Sequence, residues 1–486
     1  MNYKIVFVTF AVAICNITNW AAVPQRTMTE KLLRTVGAKR TLGEREALIS
    51  PDGAHTAWVD RALGGQTVFL DGKAVGTYAR VRNPWSDMHY AAIIPGLVFS
   101  KKGGRLAYVV SSGKQVRMVV DGKLGKPYAD LGMPKFSSDG KRVAYAARKG
   151  KKWFVVVDGR EGKRYDGISS GLGFPVNFSP DGRKVVFTAH VGDKTMTVID
   201  SYELPYASNL VFSRIGAHYA FESSDKGFSV IKDGRPIPGA RLPFWLSPNG
   251  KRIAYCVVKP SITITIGDSS TSTGKRKRYE GKGNAYHLRL DGKLSKPCKT
   301  TMRNAAFSPN SKRFAYAAMP YKNRHDREVL VVDGRESKQM YGGISSITFS
   351  PDSKRLACCV TLNTRHRLLV DGRIMDVSGW PSSPVFSPDS RHIAYRIGIG
   401  QSGIGVDGKQ IGKKGYDYWG TPVFSPDSKH VLSVARKDEK ASVSIDGVPG
   451  PLYDDILESA IFFDAPNRFH YFALRGRNVY RVDEHI

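Results

Sequence analysis

The chain has 486 residues, 41% hydrophobic and 24% charged, which excludes a disordered polyelectrolyte and leaves room for one large core or several. Lys and Arg number 74 against 43 Asp and Glu, a formal charge of +31 that points either to an anionic partner or surface or simply to well-solvated turns. Beyond the first 22 residues only Cys256, Cys298, Cys358 and Cys359 remain, too few for a disulfide framework in so long a chain and without the C-x-x-C spacing of a zinc ribbon. They read as small buried hydrophobes, with a Cys256–Cys298 bridge the one pairing left open.

The first element in chain order is a leader. Lys4 opens it, Ile5 to Cys15 is an apolar run too short for a mature membrane helix, and the small residues Ala21 and Ala22 follow. This predicts a signal peptide over 1–22 and a periplasmic or secreted mature chain. Ile14 is too bulky for the position before a lipid-modified cysteine, which argues against an anchor on Cys15. No later stretch is long and apolar enough for a transmembrane helix. The next segment, TMTEKLLRTVG (27–37), reads as a helix or as a strand that closes a ring.

From residue 49 onward one phrase recurs: ISPDG at Ile49, FSKKGG at Phe99, FSSDG at Phe136, FSPDG at Phe178, FSRIG at Phe212, LSPNG at Leu246 and FSPNS at Phe307. FSPDS follows at Phe349, Phe386 and Phe424, with an eroded FDAPN at Phe463. Most steps are near 40 residues, the mark of a repeat architecture. Ser-Pro-Asp-Gly is turn chemistry, and a β-rich run such as KRVAYAA (141–147) follows it. A variable stretch leads to a second β-branched run such as FVVV (154–157), and then Asp-Gly signals a two-residue hairpin. Each unit therefore holds four short antiparallel strands, a to d, apolar on both faces. That is the blade of a β-propeller, and the fold class is all-β with about eleven four-stranded units.

These phrases resemble the WD-like repeats of TolB-type bacterial propellers over residues 49–486; no Trp-Asp dipeptide of the eukaryotic WD repeat occurs. The resemblance implies a periplasmic or secreted propeller, in a family whose members serve as binding platforms, enzymes and accessory domains. Familiar members have six to eight blades, so eleven units imply either two tandem rings or one unusually large ring. The long step after Leu246 favours a division near 300, with units 1–6 in 23–300 and units 7–11 in 301–486.

Strand order places both short turns of every unit at one end and the b–c loops and d-to-a crossings at the other. Lys and Arg follow the turns: Lys141, Arg142, Arg183, Lys184, Lys354, Arg355 and Lys409 are the candidate basic face, set against the alternative of ordinary turn solvation. The opposite end carries Trp85, His89, Tyr90, Trp380, Tyr418 and Trp419, candidate ligand-binding residues that packing under neighbouring loops would also explain. KRKR (275–278) has the pattern of a nucleic-acid patch, which the leader disfavours.

Catalytic patterns do not hold. GISSG (167–171) matches a serine-hydrolase elbow but falls in a blade crossing rather than a strand-to-helix turn. The histidines make no H-E-x-x-H or H-x-H, and GDSSTSTGKR (267–276) has the wrong spacing for a phosphate-binding loop, so no catalytic residue, metal site or cofactor is assigned. The expectation is an exported propeller acting as a binding or scaffolding platform for a protein or an anionic polymer. The alternative is a propeller enzyme, a metal-assisted lyase or hydrolase acting on an acidic polysaccharide.

Overall fold

The computed structural model describes residues 26–35, 48–62, 64–82, 96–169, 176–223, 229–270, 276–321, 326–377, 379–398, 402–412, 415–456, 461–476 and 478–486. Among them there is no helix; eleven antiparallel sheets follow one another along the chain. The sheet of the eighth unit is typical, with strands Gly343–Phe349, Leu356–Leu362, Arg365–Val370 and Arg373–Met375 in the order a-b-c-d.

The recurring phrase builds a turn that is knitted internally. In FSPDG at 178–182 the Gly182 N–H donates to the Ser179 carbonyl at 2.8 Å. The Ser179 hydroxyl donates to Asp181 Oδ1 at 2.5 Å and accepts the Lys184 N–H at 2.9 Å. Gly182 stands at φ 71°, where a side chain is strained. The serine is the hidden part of the phrase: Ser50, Ser100, Ser137, Ser179, Ser213, Ser247, Ser308, Ser350, Ser387 and Ser425 are all buried. The Asp-Gly turn takes the form that right-twisted hairpins require, with Asp158 at φ 51° and Gly159 at φ 79°.

The two turns meet. Asp158 Oδ1 accepts the Val143 N–H at 2.9 Å, and its Oδ2 accepts from Arg142 Nε at 3.0 Å. The same place, the residue just before strand b against the turn aspartate, is occupied in blades 1 to 10. Arginine fills it in Arg105–Asp121, Arg142–Asp158, Arg252–Asp291, Arg313–Asp333 and Arg355–Asp371, and lysine in Lys184–Asp200. Histidine fills it in His55–Asp71, His218–Asp233, His392–Asp407 and His430–Asp446. Four of the eleven histidines that look scattered in the sequence thus share one repeat position.

The five arginines also reach the next blade. Arg142 Nη1 donates to the carbonyls of Gly182 and Arg183 at 3.2 and 2.7 Å, and its guanidinium lies over Phe178. Arg105, Arg252, Arg313 and Arg355 bond the corresponding pair of carbonyls in the blade that follows each. Exposed ion pairs contribute about 1 kcal/mol or less. The apolar seams therefore carry the stability, and the arginines set how each blade sits on the next. Ten hydrophobic clusters among the described residues fill the ten seams from blade 1 to blade 11.

The ring closes on itself. Strand Thr27–Thr35 pairs with Asn478–His485 and supplies strand d of the last blade, so the segment 27–35 is the closing strand and not a helix. Blade 11 lacks an Asp-Gly turn, and Arg481 on its strand c substitutes for the missing arginine: held by Asp483 at 2.8 Å, it donates to the Gly53 carbonyl of blade 1 at 3.1 Å. Eleven blades stand in one ring. The long step after Leu246 is not a linker between rings. It is a hairpin in which strands b and c of blade 6, Ile253–Ser270 and Arg276–Leu290, remain paired out to Ser270 and Arg276. Cys298 of blade 6 packs instead against Phe314 and Tyr316 of blade 7, and Cys256 and Cys298 are free, not bridged.

Two stability tests follow from the turns. Nothing lies within 4 Å of a Cβ added at Gly159, so Gly159→Val strains only the backbone and should cost about 1 kcal/mol or more, read as a lowered urea midpoint. His430 has its pKa raised, first by the hydrogen bond to Asp446. A raised folded-state value means that the pair's contribution is complete below the unfolded value of about 6.5 and is lost as pH rises through the folded one. The melting temperature should fall over that window, and His430→Gln should remove that component of the pH dependence.

Candidate functional site

The turn edge of the ring divides the seven expected basic residues into two groups. Lys141, Arg183, Lys354 and Lys409 are exposed. Arg142 and Arg355 are consumed by the bonds between blades, and Lys184 lies 3.9 Å from Asp200. Position after the turn decides the outcome: Lys141, Arg183 and Lys354 come directly after the a–b turn and face solvent, the next residue faces the Asp-Gly turn or the seam, and Lys409 opens strand d after its own Asp-Gly turn.

The crossing edge is built by the start of strand a and the far end of strand b. Trp85, His89 and Tyr90 lie outside the described residues, as does Lys275 of KRKR; the leader also falls there. Trp380 and Tyr418 are exposed, at 48% and 41%. Trp419 is not: it is fully buried, opposite Ala435, among Ile404, Val406, Phe424 and Val431 in the seam between blades 9 and 10. Alternation along a strand explains the split, since adjacent residues 418 and 419 face opposite ways. Gly412 lies against the indole so closely that a Cβ there would sit 3.0 Å from the ring. Trp419 is a packing residue and leaves the set of ligand-binding candidates.

Trp380 stands in a cleft of about 580 Å³ over the inner strands of blades 8 and 9, within the range of small-ligand sites. One face of its indole rests on His366, ring centroids 3.8 Å apart. Register places Gly398 opposite Trp380 and Arg396 opposite Ser382, so Arg396 is the diagonal neighbour of the indole. A Cβ added at Gly398 would meet nothing within 4 Å, which leaves open space beside the ring. The Arg396 guanidinium lies over Tyr418, 4.5 Å from the ring centre. Ser345, Thr361 and Ser382 add hydroxyls to the lining, and Glu328 accepts the Ile344 N–H at 2.7 Å. Cys359 also lines the cleft; burial pushes its thiol up to about 11, so it stands there protonated.

His366 and Arg396 escape a motif search because they come from different blades, with Glu328 added by a third. The signal that marks Arg396 is a break in the repeat. The fifth residue counted from the strand-b cation is Val59, Val109, Ala146, Thr188, Glu222, Cys256, Ala317, Cys359, Val434 or Phe472 in the other ten blades, and blade 9 alone places a cation there.

Among the described residues one group has metal-like composition: Asp464, His470 and Asp483 of blade 11. Arg481 occupies it, with its guanidinium on Asp483 and 3.8 Å from Asp464. The group holds the closing strut, and its cation is that arginine.

No protein-family model matches the sequence, and no curated protein does. Solved structures similar to this chain include a eukaryotic initiation factor, 15% identical over 72% of this chain and 96% of its own, with a TM-score of 0.39. A putative TolB from Agrobacterium tumefaciens is 17% identical over 45% of this chain and 80% of its own, with a TM-score of 0.25. The tricorn protease is 12% identical over 84% of this chain and 48% of its own, with a TM-score of 0.27. Likeness at this level carries no function, and the propeller assignment rests on the sheet order and ring closure of this chain.

The two tryptophans separate site from core. Trp419→Ala should destabilise the ring by about 3–5 kcal/mol, as truncation of buried aromatics does, whereas Trp380→Ala should stay within about 0.5 kcal/mol of the parent. Denaturant unfolding of both variants checks this.

Proposed function

We propose that this protein is an exported binding platform whose ligand site is the crossing-edge cleft of blades 8 and 9. The observation that carries this reading is Trp380, a large aromatic kept half in solvent on a rigid scaffold while the neighbouring Trp419 is wholly buried. The leader over 1–22 supports a periplasmic or secreted setting.

The turn edge supplies a second binding surface. Lys141, Arg183, Lys354 and Lys409 are exposed on one edge of a ring whose chain carries +31, a pattern that favours long polyanions over a single small ligand. Binding to immobilised heparin should weaken steeply between low salt and physiological salt. Changing these four residues together to Glu should weaken it far more than changing Lys275, Arg276, Lys277 and Arg278. Equal losses from the two sets would remove the turn edge as the site.

A further inference from the structure

We infer that the crossing-edge cleft takes a carboxylated sugar, with the sugar ring stacked on Trp380 and its carboxylate on Arg396; this rests on the reading of the cleft as the ligand site. The argument begins with the charge. Arg396 occupies a strand-b position that is uncharged in nine of the other ten blades, and Glu222 in the tenth is bonded by Ser208 and Asn209. Burying part of a guanidinium is costly unless an anion meets it. Elsewhere on this edge arginines have acids: Arg82 and Arg148 share Asp130 at 3.3 and 3.8 Å, and Arg436 has Asp455 at 2.7 Å. Arg396 has the Tyr418 ring and, among the described residues, no carboxylate. The planar fork of a guanidinium matches a carboxylate.

The aromatic decides what bears that carboxylate. His366 covers one face of Trp380, and the opposite strand contributes Gly398, which adds no side chain beside the indole. A half-exposed indole with hydroxyls at Ser345 and Ser382 around it suits a pyranose: its C–H face stacks and its hydroxyls find partners. A single guanidinium also matches the single charge of a uronate.

Calorimetric titration of the full chain with tetragalacturonate and with its fully methyl-esterified form tests this, because the two share the stacking face and differ in charge. The acid should bind at least 10-fold more tightly than the ester. Arg396→Gln should bind both alike, at the ester's affinity, with an unchanged melting temperature. Trp380→Ala should weaken both by about 10-fold or more. Replacement of the four turn-edge cations should leave tetragalacturonate binding unchanged. Equal affinity for acid and ester, an acid preference that survives Arg396→Gln, or loss on turn-edge replacement overturns the inference. If neither oligosaccharide binds, the inference also fails, and hexaglutamate then separates the two readings. Hexaglutamate binding that Trp380→Ala removes keeps the cleft and changes the ligand class, whereas hexaglutamate binding insensitive to Trp380, or none at all, removes the cleft as well.

Discussion

A four-stranded sheet that is apolar on both faces has one way to leave water without aggregating: each face must be covered by another sheet of the same kind, and the stack must return to its start. Burial alone does not set the angle between sheets, because apolar contact is non-directional. In this ring the directional element is the strand-b cation. Its aspartate ties it to the turn of its own blade, and in five blades a guanidinium carries the tie across to two carbonyls of the next. A charged fork with fixed geometry thus orients a contact whose energy comes from Val, Ala, Leu and aromatic side chains.

The two halves of the ring solve the same turn differently. The first half mostly ends the phrase in Gly and the second in Ser. Ser311, Ser353, Ser390 and Ser428 accept φ values of 65° to 68°, strained for a residue with a side chain. Each offsets that cost with a bond that glycine cannot make, accepting a backbone N–H from the turn of the preceding blade at 3.0 Å. The last seam departs further. His470 replaces the small residue that packs elsewhere, and its Nε2 lies where a Cβ on Gly53 would have to be, so blade 1 can approach only because that residue is glycine.

In a repeat protein the informative positions are those that break the repeat at no benefit to packing. Arg481 breaks it and is explained by closure. Arg396 breaks it and, among the described residues, joins blade 9 to nothing but Tyr418, while two residues away in the pairing Trp380 stands exposed. The site is therefore an interruption of a structural rule on an edge that the rule leaves unconstrained: the turn edge is committed to holding blades together, and the crossing edge is where loops and strand ends can vary.

The strand count, the blade as the unit, the position of both turns at one end and the closing role of residues 27–35 as one of two readings were all legible in the sequence, because turn chemistry and hairpin signals are local. Ser-Pro-Asp-Gly and Asp-Gly dictate backbone conformations within a few residues, and Asp158 and Gly159 adopt the conformation that their side chains favour. Ring number was misread, since the 61-residue step favours a linker near 300 in the sequence, and only the pairing of 253–270 with 276–290 shows it to be a longer hairpin. Nor did the two tryptophans separate by residue type: Trp380 stands six residues before Phe386 and Trp419 five before Phe424, so Tyr418 holds the place that matches Trp380 and the one-residue offset turns Trp419 to the other face. Exposure depends on which face of a strand a residue occupies and what the next blade presents to that face, and both are set by contacts between residues tens of positions apart.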